Sequence, residues 1–228
     1  MHRKPLLILG ITLAAATLMP FSDPIWIPLA SGYTFFYFFF MLSEFFPPKR
    51  MPKLILFQCF SLIPLYFFMW FNGVKAGTIG LTLVNLPVNA CLSLALFTFG
   101  TVLHIYWFYV RRPENPFGIR VPKTLHIAFS ASTALAEETW HRGFLLFLAA
   151  SALGAPAGAM LSTVIFSAPH FRRNKFSGVL SFIFAFFSAV LVLFTGNLVG
   201  LILAHFLFNM FNNYMICPNG KDLHTIRK

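Results

Sequence analysis

The sequence predicts an all-α fold, a polytopic transmembrane helical bundle of about eight spans. Of its 228 residues, 58% are hydrophobic and only 10% charged, with 31 Phe, a balance far from that of a soluble domain. Most of the apolar residues fall in runs of the length a helix needs to cross a bilayer. The net charge of +11 is gathered in short basic clusters between those runs. With eight spans, Arg3 and Lys4, the cluster at 49–53, Arg111 and Arg112, the cluster at 172–175 and the tail all share one face. The opposite loops, FSDP, NGVK, SALGAP and TGN, hold a single Lys. This is the bias that orients membrane proteins, and it predicts both termini in the cytoplasm and lipid as a partner. Basic residues spread this way give no nucleic-acid patch, so no nucleic-acid partner is expected.

The first apolar run, 5–19, starts behind Arg3 and Lys4 and stops at PFSDP. It lacks a small-x-small cleavage site before Pro20 and further spans follow it, so it is expected to be retained rather than removed as a signal peptide. A second run, 25–46, carries Pro28 near its start, where a missing N–H can kink a helix, and the aromatic tract YTFFYFFF. PPKRMPK separates it from a third run, 54–71, which ends in FNGVKAG, where Asn-Gly marks a turn. Residues 78–110 are too long for one simple span. Asn85, Pro87 and Asn89 divide them into a broken or interfacial start and a fourth span over 88–109. After the polar loop RRPENPFGIRVPK comes a fifth run, 125–150, then a short sixth over 158–169 ending in SAPHFRRNK. The seventh and eighth cover 177–195 and 197–216, ahead of the tail CPNGKDLHTIRK. The expected organisation is an N-terminal set of helices and loops (1–124), a core unit (125–216) and a basic cytoplasmic tail (217–228). Cys59, Cys91 and Cys217 lie in or beside apolar segments without metal-ligand spacing and are expected as buried small hydrophobes.

The fifth run holds the most informative stretch, LAEETWHRG at 135–143. Ionised groups in an apolar span cost several kcal/mol or more unless paired, hydrated or protonated, so Glu137 and Glu138 there point to a polar cavity. Arg142, four residues after Glu138, lies one turn along the same face; Glu137 lies about 100° away, one turn before His141. Two more patterns follow at helical spacing, Phe166 with His170 in FSAPH and His205 with Asn209 in HFLFN. If three helices pack around one cavity, Glu137, Glu138, His170, His205 and Asn209 converge. A carboxylate in a low-dielectric site can act as a general base on water, with an imidazole to assist it. Imidazole and amide donors can stabilise an oxyanion as a carbonyl is attacked, so the set suits peptide-bond hydrolysis. The same residues also permit a zinc site built from Glu137, His170 and His205 with water as the fourth ligand, although no HExxH or other compact ligand motif occurs.

Glu137 to Arg142 matches EExxxR, Phe166 to His170 matches FxxxH and His205 to Asn209 matches HxxxN. In order and separation these resemble the CPBP family of intramembrane proteases, also called the Abi or type II CAAX prenyl endopeptidase family. The resemblance covers about 125–215; the preceding half resembles the family only in being hydrophobic helices. It implies a cavity open to cytosol and membrane, with Glu137 activating water, His170 assisting, and His205 and Asn209 forming the oxyanion site. Glu138 and Arg142 orient the first of the helices or the base, and Phe166 supports the site. It also implies hydrolysis without a resident cofactor, with a zinc-dependent version as the alternative. The expected partner is a membrane-anchored peptide or protein, either prenylated or a processed peptide or sorting signal in a bacterial inner membrane. A non-enzymatic scaffold or bacteriocin-immunity role is the other reading. One departure is visible: the residue before the motif Arg is commonly Phe in the family and is His141 here.

Each residue also has a structural reading. Glu138 and Arg142 can be an ion pair that holds helices together. His170 can meet the membrane interface, and His205 and Asn209 can bond between helices. Trp140 reads as packing, His104 and His126 as helix-end or interface residues, and Arg172, Arg173 and Lys175 as topology determinants that can also meet anionic lipid or a substrate carboxylate.

Overall fold

A computed structural model describes residues 51–71, 73–107, 122–173 and 175–212. The runs at 5–19 and 25–46, most of the loop at 111–123, Cys217 and the basic tail lie outside the described residues. Within them the chain is all helix, in six consecutive helices. α1 is Met51–Phe71, and a 3₁₀ turn at Ala76–Ile79 leads to α2, Leu86–Ile105. α3 runs without a break through α-helical Thr124–Glu138, π-helical Thr139–Leu145 and α-helical Leu146–Leu153. α4 is Ala155–Arg173, α5 is Lys175–Thr195 and α6 is Val199–Met210.

This corrects the expectation of about eight spans. Among the described residues only three helices are long and apolar enough to cross a membrane, at Pro52–Phe71, Leu86–Ile105 and Lys175–Thr195, which are α1, α2 and α5. The others fail for physical reasons. α3 carries two Glu, a His and an Arg at its centre, and α4 is rich in Ala, Gly and Ser and ends in PHFRR. The 12 residues of α6 extend about 18 Å at 1.5 Å each, short of a hydrocarbon core of about 30 Å. Boundaries moved as well. α2 starts at Leu86, with Asn85 in the left-handed region (φ 56°) and proline in its first turn, and α4 runs past Pro169 to Arg173. Cys59 and Cys91 are exposed rather than buried, because they sit on outward faces of α1 and α2, where a small apolar side chain is at home in lipid.

Side-chain contacts fix the packing directions. α2 and α6 run parallel: Asn89 Nδ2 donates to Asn197 O (2.8 Å), the Phe97 ring stacks on His205, and Asn212 Nδ2 donates to Thr101 Oγ1 (3.1 Å). α5 runs antiparallel to α2, with Phe97 on Phe184 and Asn89 Nδ2 donating to Thr195 Oγ1 (2.9 Å). α4 lies antiparallel to α3, where the Ser162 hydroxyl reaches the His141 carbonyl at 2.7 Å. α1 covers another side of α3: Ser132 Oγ donates to Gln58 Oε1 (2.8 Å), and the Trp140 indole N–H donates to Ser61 Oγ (3.1 Å). The apolar core between α2, α3, α5 and α6 contains Phe97, Leu146, Val192, Leu198 and Leu201.

Candidate functional site

Glu137 and Glu138 are the last two residues of the first α-helical part of α3, and α6 crosses them antiparallel. His205 inserts its imidazole between the two carboxylates. Its Nδ1 is 2.5 Å from Glu138 Oε1 and its Nε2 is 3.7 Å from Glu137 Oε2. Glu138 also holds Arg142, whose Nη1 sits 3.4 Å from Oε1 and 3.3 Å from Oε2, the i,i+4 pair that the spacing predicted. All four groups are buried, Glu138 and Arg142 to 1% exposure. Burial of such charges costs several kcal/mol per ion, and mutual compensation is what makes the cluster tolerable.

Phe166, on α4, is the hub of an aromatic wall around this cluster. The Arg142 guanidinium carbon lies 3.9 Å from its ring centroid, a cation–π geometry. His141 meets the same ring edge-on at 5.1 Å, His170 stacks against it at 5.1 Å, and His205 stands T-shaped to it at 6.5 Å. The sequence signal behind this is Ser162, Phe166 and His170 at four-residue intervals, one face of α4 turned to α3.

Glu137, Glu138, Arg142 and His205 thus touch directly, with Phe166 and His141 packed on them. His170 is connected to the group through Phe166, and its own Nδ1 is 3.2 Å from the Phe166 carbonyl. Asn209 lies one turn beyond His205 on α6 and is half-buried. Sequence reasoning missed Phe97, which stacks on the His205 ring at 5.6 Å, and Ser162. Phe97 belongs to a face of α2 marked by Asn89, Ser93, Phe97 and Thr101 at intervals of four, a pattern visible in the sequence but without a chemical motif.

The zinc set of Glu137, His170 and His205 is not assembled by this arrangement. Among the described residues no three His, Cys, Asp or Glu side chains are grouped so as to hold a metal ion. His170 reaches the cluster only through Phe166, so Glu137, His170 and His205 are not brought together as a three-ligand set, and no step is derived through a metal.

No curated protein and no solved structure matches the chain. A family model does: that of the type II CAAX prenyl endopeptidase Rce1-like proteins, over residues 121–211. That stretch contains all three polar motifs and α3 to α6. Over residues 121–211, which hold the buried Glu/His network, the chain is similar to the Rce1-like, CAAX protease-type family, and three helices among the described residues are long and apolar enough to cross a membrane, consistent with an integral membrane protein.

Proposed function

We propose that this protein is an intramembrane endopeptidase that hydrolyses a peptide bond of a membrane-tethered substrate by glutamate-activated water. The observation that carries this reading is the pair of buried carboxylates facing the two nitrogens of one imidazole, in the part of the chain that matches the protease-type family. Glu137 is the base: it takes a proton from water as the water oxygen attacks the scissile carbonyl carbon. His170 assists from α4, and Asn209 and His205 donate to the oxyanion that forms. The His205 Nδ1–H is committed to Glu138, so the donor to the oxyanion is Nε2–H, and in that role the ring is an imidazolium. The tetrahedral intermediate then collapses: the C–N bond breaks, and the proton held on Glu137 passes to the leaving nitrogen. Glu138 and Arg142 do not meet the substrate; they fix the orientation of His205 and of α3.

The catalytic unit is 125–216, and the substrate is a prenylated protein or a processed peptide or sorting signal presented from the bilayer of a bacterial plasma membrane, with both termini of the enzyme in the cytoplasm. The test is reconstitution in proteoliposomes with membrane-tethered peptides. Wild type cleaves, and Glu137→Ala and His170→Ala lose turnover by about 10²-fold to 10⁴-fold, the range for a lost general base. Unchanged turnover in both variants defeats the assignment.

A further inference from the structure

His141 has a job that an aromatic hydrocarbon at the same place could not do. It is 3% exposed, and its Nδ1 lies 2.8 Å from the backbone carbonyl oxygen of Glu137. A carbonyl can only accept, so Nδ1 carries a proton and donates it, which fixes the tautomer of the neutral ring. The acceptor belongs to the residue whose side chain faces His205 Nε2.

The location matters because the helix changes character there. From Thr139 to Leu145 the backbone is π-helical, and the Leu146 N–H reaches back five residues to the His141 carbonyl. A π segment is wider than an α-helix and is uncommon because its hydrogen bonds are poorer, so it persists where neighbours hold it, often at functional sites. His141 is held at both ends. Its ring ties back to the last α-helical turn through Glu137, and its carbonyl receives the Ser162 hydroxyl of α4 at 2.7 Å. The ring edge also rests on Phe166, the residue that carries Arg142 on its face. One side chain thus links the turn bearing Glu137, the widened segment bearing Arg142, and α4 bearing His170.

We infer that His141 is a positioning residue that, through its Nδ1–H bond to the Glu137 carbonyl, locks the junction between the α-helical and π-helical parts of α3 and so aims the Glu137 carboxylate at His205. This rests on the hydrolytic reading of the site. The consequence is that the position requires a donor at the δ position, and a ring of similar size without one fails. Phe keeps the shape and loses the donor. Asn replaces the ring but keeps an N–H near the place of Nδ1.

The experiment compares wild type, Glu137→Gln, His141→Phe and His141→Asn in the proteoliposome assay with a membrane-tethered peptide. It is paired with ¹⁵N-imidazole spectra of the full-length protein. Misaiming a reacting group lowers the rate of the step without weakening binding, so His141→Phe should reduce kcat by about 10-fold to 100-fold at near-constant KM. His141→Asn should recover most of that loss. The spectra should include, besides that of His170, whose Nδ1 also faces a carbonyl, a histidine signal protonated at Nδ1 and bare at Nε2 that is missing in both His141 variants. Full kcat in His141→Phe, equal loss in Phe and Asn, or a His141 ring protonated only at Nε2 would each overturn the inference. Failure of the hydrolytic reading looks different: a wild type that cleaves nothing, or a Glu137→Gln variant that cleaves as well as wild type.

Discussion

At the scale of single residues, the site is a problem of burying charge. Glu138 is the pivot, because it holds both Arg142 and His205 while being almost fully buried. Removing one partner of such a pair leaves an uncompensated charge and costs about 3–5 kcal/mol, whereas removing both costs less. Arg142→Met is therefore expected to lower the thermal unfolding midpoint in detergent well below that of wild type. The Glu138→Gln/Arg142→Met double variant should recover part of the loss. Equal midpoints for wild type and Arg142→Met would mean that the pair carries no stability. This pair was legible in the sequence, since Glu and Arg four apart on a helix must share a face. The insertion of His205 between Glu137 and Glu138 was legible only as a possibility. Its chain separation from Glu138 is 67 residues, and nothing in the spacing says which nitrogen meets which carboxylate. The same holds for His141, whose bond to the Glu137 carbonyl depends on a ring orientation that the sequence does not encode.

At the scale of elements, α6 must be held in register for His205 to reach α3, and the clamp is a set of asparagines. Asn197 Nδ2 donates to the carbonyls of Thr82 (2.6 Å) and Val84 (2.8 Å), its Oδ1 accepts from the Gly200 N–H (3.3 Å), and Asn85 Nδ2 reaches the Thr195 carbonyl (3.0 Å). The loops before α2 and α6 are thereby stitched together, with the Leu198 N–H donating to the Gly80 carbonyl at 2.7 Å. Gly80 needs its freedom there, with φ at +79° and a would-be Cβ 3.3 Å from Leu198. Asn197→Ala takes the donor from these part-buried carbonyls and the acceptor from the buried Gly200 N–H, and is expected to cost about 1–3 kcal/mol. The checks are chemical denaturation and faster hydrogen exchange at Leu198; a variant indistinguishable from wild type in both would remove the clamp from the account. Asn85, Pro87 and Asn89 were visible in the sequence as a break in the apolar run, and the break is where it was expected. Their partners were not visible, because Thr195 and Asn197 stand more than a hundred residues away. The π segment was also hidden: Gly143 is the only glycine in it and is equally compatible with an ordinary α-helix, so nothing in LAEETWHRG marks the widening.

At the scale of the molecule, apolar and polar helices divide the labour. α1 turns Phe60, Ile63, Phe67 and Trp70 outward, and α5 does the same with Phe187, Val190 and Phe194. In water such faces would drive association; in a bilayer the acyl chains are their solvent. Composition therefore reported the membrane-helix character correctly. It overcounted the spans because run length does not distinguish a helix that faces lipid from one that fills the interior. α3, α4 and α6 are apolar enough to look like spans in sequence, yet they carry the ionisable residues, the small residues and the shortest helix. The same inner helices bear on the cofactor question. On the glutamate-activated-water reading, a strong chelator is expected to leave turnover unchanged. Loss of activity restored by added zinc would replace the metal-independent chemistry with the zinc-dependent version.

The central claim is that Glu137 activates the water that breaks the peptide bond, and isotope incorporation tests it most directly. In H₂¹⁸O, wild-type enzyme in proteoliposomes should place one ¹⁸O in the new carboxyl terminus of each cleaved peptide, and folded Glu137→Gln should yield no labelled product. Labelled product from Glu137→Gln at the wild-type rate would contradict the account.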